Sequence, residues 1–105
     1  SAMFAANDLM AIGAMAGLKE RGVPVPSRVS VVGFDDIHLA AYTSPALTTV
    51  RQPTYEMGRR ATQILIDAIQ GRVTSDDQRH VLFQGELVVR QSTAPLGNVV
   101  MEAAG

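Results

Sequence analysis

The sequence predicts an α/β fold organised on a parallel strand–helix–strand unit. Two observations carry that prediction. Val29-Ser30-Val31-Val32-Gly33-Phe34-Asp35-Asp36 is a short, mostly apolar run rich in β-branched residues, and it ends in two carboxylates. A strand buried on both faces of a parallel sheet reads as such a run instead of alternating. Upstream, the apolar Met3-Phe4-Ala5-Ala6 stops at Asn7-Asp8 and leads into a helical pattern. Strand, helix and strand thus follow within roughly thirty residues, the span of a right-handed βαβ crossover. Ligands of open parallel sheets sit just outside the carboxyl ends of the strands, which is where Asp35 and Asp36 fall.

Each element has a local reason. Asn7 and Asp8 are good N-caps for a helix over about 8–21, and Gly22 offers the left-handed stop. Charges gather only in its last turn, at Lys19 to Arg21, while Ala11, Gly13, Ala14 and Gly17 leave a thin surface for close packing. Val23-Pro24-Val25-Pro26 is extended, because each proline disfavours helix in the residue before it. Ile37 to Tyr42 suits a short helical turn, with Asp36 as its cap. Leu47-Thr48-Thr49-Val50 reads as a third strand ending at Arg51-Gln52. A second helix follows over 55–70, with Met57, Ala61, Ile64, Leu65, Ala68 and Ile69 on one face, a Glu56–Arg60 pair outside, and Gly71 as its end. After a polar loop over 74–78 come two strand-like pieces, Val81-Leu82-Phe83 and Leu87-Val88-Val89, and from Pro95 a tail or swapped arm.

Bulk properties exclude several function classes. The chain has 105 residues, enough for one small domain, with nine basic and ten acidic side chains and no cysteine. A net charge of −1 gives no basic patch for nucleic acid, and the lack of cysteine excludes a disulfide framework or thiol chemistry. The longest apolar run, 9–18, is too short to span a membrane, and no signal peptide is recognisable. A cytoplasmic protein without membrane contact is expected.

Three strands end in polar pairs: Asn7-Asp8, Asp35-Asp36 and Arg51-Gln52. If the strands are parallel neighbours, these groups share a rim, and their fixed acceptors and paired donors suit a neutral, hydroxyl-rich ligand such as a sugar, or a nucleobase edge. Duller roles compete: a plain N-cap for Asn7 or Asp8, a turn cap for Asp36, a solvated strand end for Gln52 and a surface charge for Arg51. Enzymatic readings are weak. His38 and His80 are isolated, no glycine-rich phosphate loop joins strand to helix, and no serine lies in a nucleophile elbow. A magnesium site built from Asp8, Asp35 and Asp36 for phosphoryl transfer is a minor alternative.

Phe4-Ala5-Ala6-Asn7-Asp8 with Met10-Ala11-Ile12-Gly13-Ala14, the run 29–36, Leu47-Thr48-Thr49-Val50-Arg51-Gln52, Tyr55-Glu56-Met57-Gly58 and Glu86-Leu87-Val88-Val89-Arg90-Gln91-Ser92-Thr93 occur in unbroken order. Together they closely resemble the lactose-repressor family of bacterial transcription regulators. The resemblance implies a partial periplasmic-binding-protein-like fold, in which a ligand lies between two lobes. Residues 1–51 would end the C-terminal lobe, 52–85 would supply a crossover, helix and strand to the N-terminal lobe, and 86–105 would be the return strand and tail. Carried over by position, Asn7, Asp35 and Gln52 resemble effector contacts. Ala11, Ile12, Met15 and Ala16, with the 37–43 segment including His38, Tyr42 and Thr43, fall where the family builds its dimer interface.

The resemblance further implies a small-molecule effector of carbohydrate type, a homodimer or swapped oligomer, and operator DNA reached only through a domain outside this chain. No cofactor and no enzymatic activity are expected. The competing reading with the same architecture is a piece of a secreted sugar receptor.

Overall fold

In the computed structural model, which describes residues 1–72 and 79–96, β1 (Ala2–Phe4) and β2 (Ser30–Val32) lie parallel, with Met3 opposite Val31. Helix α1 (Asp8–Glu20) connects them, so the expected βαβ unit is present. Asn7 adopts extended backbone and its side chain accepts from the Met10 amide, the N-cap its residue type favours. Gly22 stands one position past the C-cap at φ 71°, and Gly71 does the same at φ 72° for the second helix. Both are left-handed stops that a Cβ would make costly.

A 3-10 helix (His38–Ala41) follows β2, and β3 (Thr49–Arg51) then runs beside β2. Isolated parallel bridges Val32–Thr48 and Asp35–Arg51 join the two, with Gly33 and Asp35 amides donating to Thr48 and Val50 carbonyls at 2.9 Å each. Strand β4 (Glu86–Val88) pairs antiparallel with β3. Downstream of it, Ser92 is fully buried. Its hydroxyl donates to the Val31 carbonyl at 2.6 Å and accepts from the Thr48 amide at 2.8 Å, bridging β2 and β3 where they diverge.

The core is Ala11, Met15, Val31, Ala40 and Leu47, flanked by Ala5, Ile12, Leu18, Val25, Val29 and Ile37. It lies between α1 and the sheet. Of β2 only Val31 is fully enclosed, and Ser30 and Val32 are half-buried. The double-sided burial expected of this run is therefore not completed among the described residues, since α1 is the helix that packs on β2.

The chain divides into two units. One holds Ser1–Arg51 and the described residues from Glu86 on; the other is Gln52–Gly85. The second unit is dominated by α2 (Thr54–Ile69), none of whose residues is buried. Its first turn carries Glu56 paired with Arg59 at 3.8 Å, in place of the expected partner Arg60; the pair spans three residues, a spacing that also faces one side of a helix. Val81-Leu82-Phe83 forms no strand, and Leu82 is completely exposed. A strand needs a neighbour to hydrogen-bond, and among the described residues this piece has none. The polar loop over 74–78 and the tail beyond Leu96 lie outside the described residues.

Candidate functional site

The ends of β1, β2 and β3 meet on one rim. The Ala5 amide donates to the Val32 carbonyl, the Asp8 amide to Phe34, and the Asp35 amide to Val50, so the chain segments carrying Asn7, Asp35 and Arg51 lie side by side. Gln52 follows Arg51 directly and is the first residue of the second unit.

The two residues of the Asn7-Asp8 pair do different work. Asn7 is half-buried, spends its side-chain oxygen on the helix cap, and its amide nitrogen makes no hydrogen bond among the described residues. Asp8 turns inward and is fully buried. One of its oxygens accepts from the Thr49 hydroxyl at 2.6 Å and the other from the Ile37 amide at 2.7 Å. It therefore ties the start of α1 to β3 and to the turn after β2. This carboxylate also explains Gly33: a Cβ there would collide with an oxygen of Asp8 and press on Leu47 and Ala11. Sequence reading left Asp8 as a possible cap, because nothing local announces a partner 41 residues away.

Asp35 and Asp36 both have left-handed backbone, with φ 115° and 56°, a conformation that costs non-glycine residues energy and persists only where the surroundings enforce it. The enforcing contacts are visible. The Asp35 amide is held by β3, the Asp36 amide donates to the Thr49 hydroxyl at 3.3 Å, and the Asp36 carboxylate takes two arginines. Arg51 Nε and an Arg90 guanidinium nitrogen each lie 2.8 Å from a different oxygen of Asp36. Asp36 is thus no turn cap: Ile37 occupies the cap position of the 3-10 helix, without a side-chain bond. Nor is Arg51 a plain surface charge. Burial pushes the Asp36 carboxyl up, but hydrogen bonds from Arg51 and Arg90 and their charges outweigh it and hold it below the usual carboxylate value.

These partners weaken the magnesium alternative. Asp8 and Asp36 have their oxygens engaged by protein donors, and among the described residues no three acidic, histidine or cysteine side chains gather as a metal site.

The residues expected at a subunit interface separate into two sets. Ala11 is fully buried and Met15 nearly so, both in this chain's own core, which leaves Ala11 no surface to offer a partner. Ala16, His38 and Tyr42 are exposed, and Ile12 and Thr43 half-buried. The His38 and Tyr42 rings lie 5.1 Å apart, and the Thr43 hydroxyl donates to the Pro45 carbonyl at 2.8 Å. A groove of about 670 Å³ runs past Ile12, Met15, Ala16 and Thr43.

Residues 1–93 match the model of the periplasmic binding protein-like domain family. The chain is 42% identical over 96 residues to the HTH-type transcriptional repressor CytR of Escherichia coli strain K12, covering 91% of this chain and 28% of that protein. Among solved structures it resembles the lac repressor dimer bound to operator and the anti-inducer ONPF, at 35% identity and TM-score 0.79, over 90% of this chain and 32% of that one. It also resembles a complex of the transcriptional regulator CelR with cellobiose, at 41% identity and TM-score 0.79, over 87% of this chain and 27% of that one. The chain thus spans about a third or less of the length of each of these three.

Proposed function

Because the chain belongs to the lactose-repressor family of transcription regulators, with their periplasmic binding protein-like effector domain, we propose that it is the C-terminal piece of such a domain, acting in ligand sensing and dimerisation. Asn7, Asp35 and Gln52 contact the effector. Asn7 offers amide donors, Asp35 acceptors, and Gln52 reaches in from the connection that follows β3. Residues 1–51 end one lobe, 52–85 belong to the other, and the return strand follows. The observation that carries this reading is the common rim, where Asn7 and Asp35 stand beside the point at which the chain leaves for its second unit.

Two amides and a carboxylate, which offer directed donors and acceptors, suit a polar, hydroxyl-rich effector, and the relative solved with cellobiose makes a carbohydrate the first class to try. Ile12, Ala16, His38, Tyr42 and Thr43 face a second copy, while Ala11 and Met15 support that surface from beneath. An effector that prefers one lobe arrangement shifts the dimer between operator-competent and incompetent states, with DNA contacted by another domain. The protein works in the cytoplasm and catalyses no reaction.

A thermal-shift panel of maltose, cellobiose and hypoxanthine against the full-length regulator tests the reading. A ligand at a hundred times its Kd stabilises by about 2.7 kcal/mol, a shift of several degrees. One disaccharide is expected to give that shift, measured for each protein against its own unliganded Tm, and Asp35→Asn, which keeps a residue type tolerant of left-handed backbone, to abolish it. A shift that survives Asp35→Asn would place the effector elsewhere.

A further inference from the structure

The carboxylate of Asp36 joins the two chain segments that make up the first unit. Arg51 is the last residue of the first segment of unit one, directly before Gln52; Arg90 lies on the segment that begins at Glu86. Asp36 receives both arginines at 2.8 Å, one on each oxygen, and its side chain is only 9% exposed. Arg90 is itself anchored, donating to the Leu47 carbonyl at 2.9 Å, and its amide donates to the Thr48 hydroxyl at 2.9 Å. Arg51 also approaches Glu86, at 3.8 Å. The clamp stands on the residue next to Asp35, whose left-handed backbone it helps to enforce.

We propose that Asp36 is a positioning residue that locks the roots of the outgoing and returning chain together and, through the adjacent peptide, aims Asp35 at the effector. The inference rests on the effector-domain reading for its second half only. A charged group with two charged partners at low exposure loses more than one contact when neutralised, because both arginines lose their shared counter-charge at once. Opening of the outgoing root and of the returning root is therefore a single event, and the rim loses its shape when either opens.

Hydrogen exchange on the full-length regulator, comparing Asp36→Asn, Arg90→Gln and the double variant, decides the clamp. Either single change is expected to speed exchange about tenfold in both 47–51 and 86–93, with α1 unchanged and the double variant no faster than the singles, the mark of one coupled unit. Acceleration confined to one segment, additive effects, or loss of protection across α1 would each overturn the proposal. A parallel titration with whichever of cellobiose and maltose binds tests the aim at Asp35: Asp36→Asn should weaken binding about tenfold while leaving the unliganded α1 protected. Unweakened binding refutes that half. If neither cellobiose nor maltose binds the parent protein, the carbohydrate reading fails while the exchange data still decide the clamp.

Discussion

The two units spend similar apolar material differently. In the first, α1 carries small residues and a weak stripe, yet it buries Ala11 and Met15 against Val31, Ala40 and Leu47. In the second, α2 has the sharply one-sided pattern of a helix that covers a core, yet buries nothing, and Tyr55, Leu65 and Ile69 are all exposed. Amphipathic periodicity therefore reports what a helix packs against in the whole protein, whereas burial reports what this stretch of chain supplies. The first unit is held by polar pins as much as by apolar contact, since Asp8, Thr48, Thr49 and Ser92 are all enclosed and hydrogen-bonded.

The sharpest way to break the comparison is to remove one methyl-bearing side chain from each unit. Leu47→Ala is expected to cost about 3 kcal/mol in urea denaturation, because it empties a fully buried site. Ile64→Ala, at a half-buried position on the mostly exposed α2, should change the 105-residue chain by less than about 0.5 kcal/mol. If α2 is covered in the full-length regulator, the same Ile64→Ala change should there cost about 2 kcal/mol or more. Equal costs in the short and full-length chains would show that α2 is complete as it stands.

A smaller effect separates polar pins from apolar ones. Ser92→Ala keeps the shape but leaves the Thr48 amide and the Val31 carbonyl without their hydroxyl partner, and should cost about 1 to 2 kcal/mol by the same measurement. Ala-neutral behaviour would assign Ser92 to packing alone.

The mildest probe is pH. The folded-state pKa of Asp36 lies below its ordinary 3.8, so its ion pairs contribute stability that is complete above that value and is lost as pH falls through the lower, folded-state value. Stability of the parent chain should decline on the acid side more steeply than that of Asp36→Asn, with denaturation midpoints compared at a series of pH values. Asp67, also held low by Arg72, is common to both proteins and drops out of the difference.

Much of this was legible beforehand, for physical reasons. The βαβ unit announced itself through an apolar run, a capped helix and turn prolines, all local signals. The identity of the rim followed from strand ends. The pairing of Asp8 with Thr49, and of Asp36 with Arg90, was not legible, since those partners meet only after the sheet has formed. The strand expected at 81–83 failed for the converse reason: its residues have strand character, but pairing needs a second strand.

Asn7 and Asp8 are neighbours with opposite duties, one facing the rim and one nailed into the interior. A single residue inserted ahead of this junction would bring an amide, and one deleted would bring the Leu9 side chain, to the place where the Thr49 hydroxyl and the Ile37 amide both need an acceptor. If the proposed effector contacts hold, libraries aimed at changing the response should vary position 7 among residues that cap a helix and position 35 among residues that tolerate left-handed backbone, while holding Asp8, Gly33 and Asp36 and the spacing between them constant.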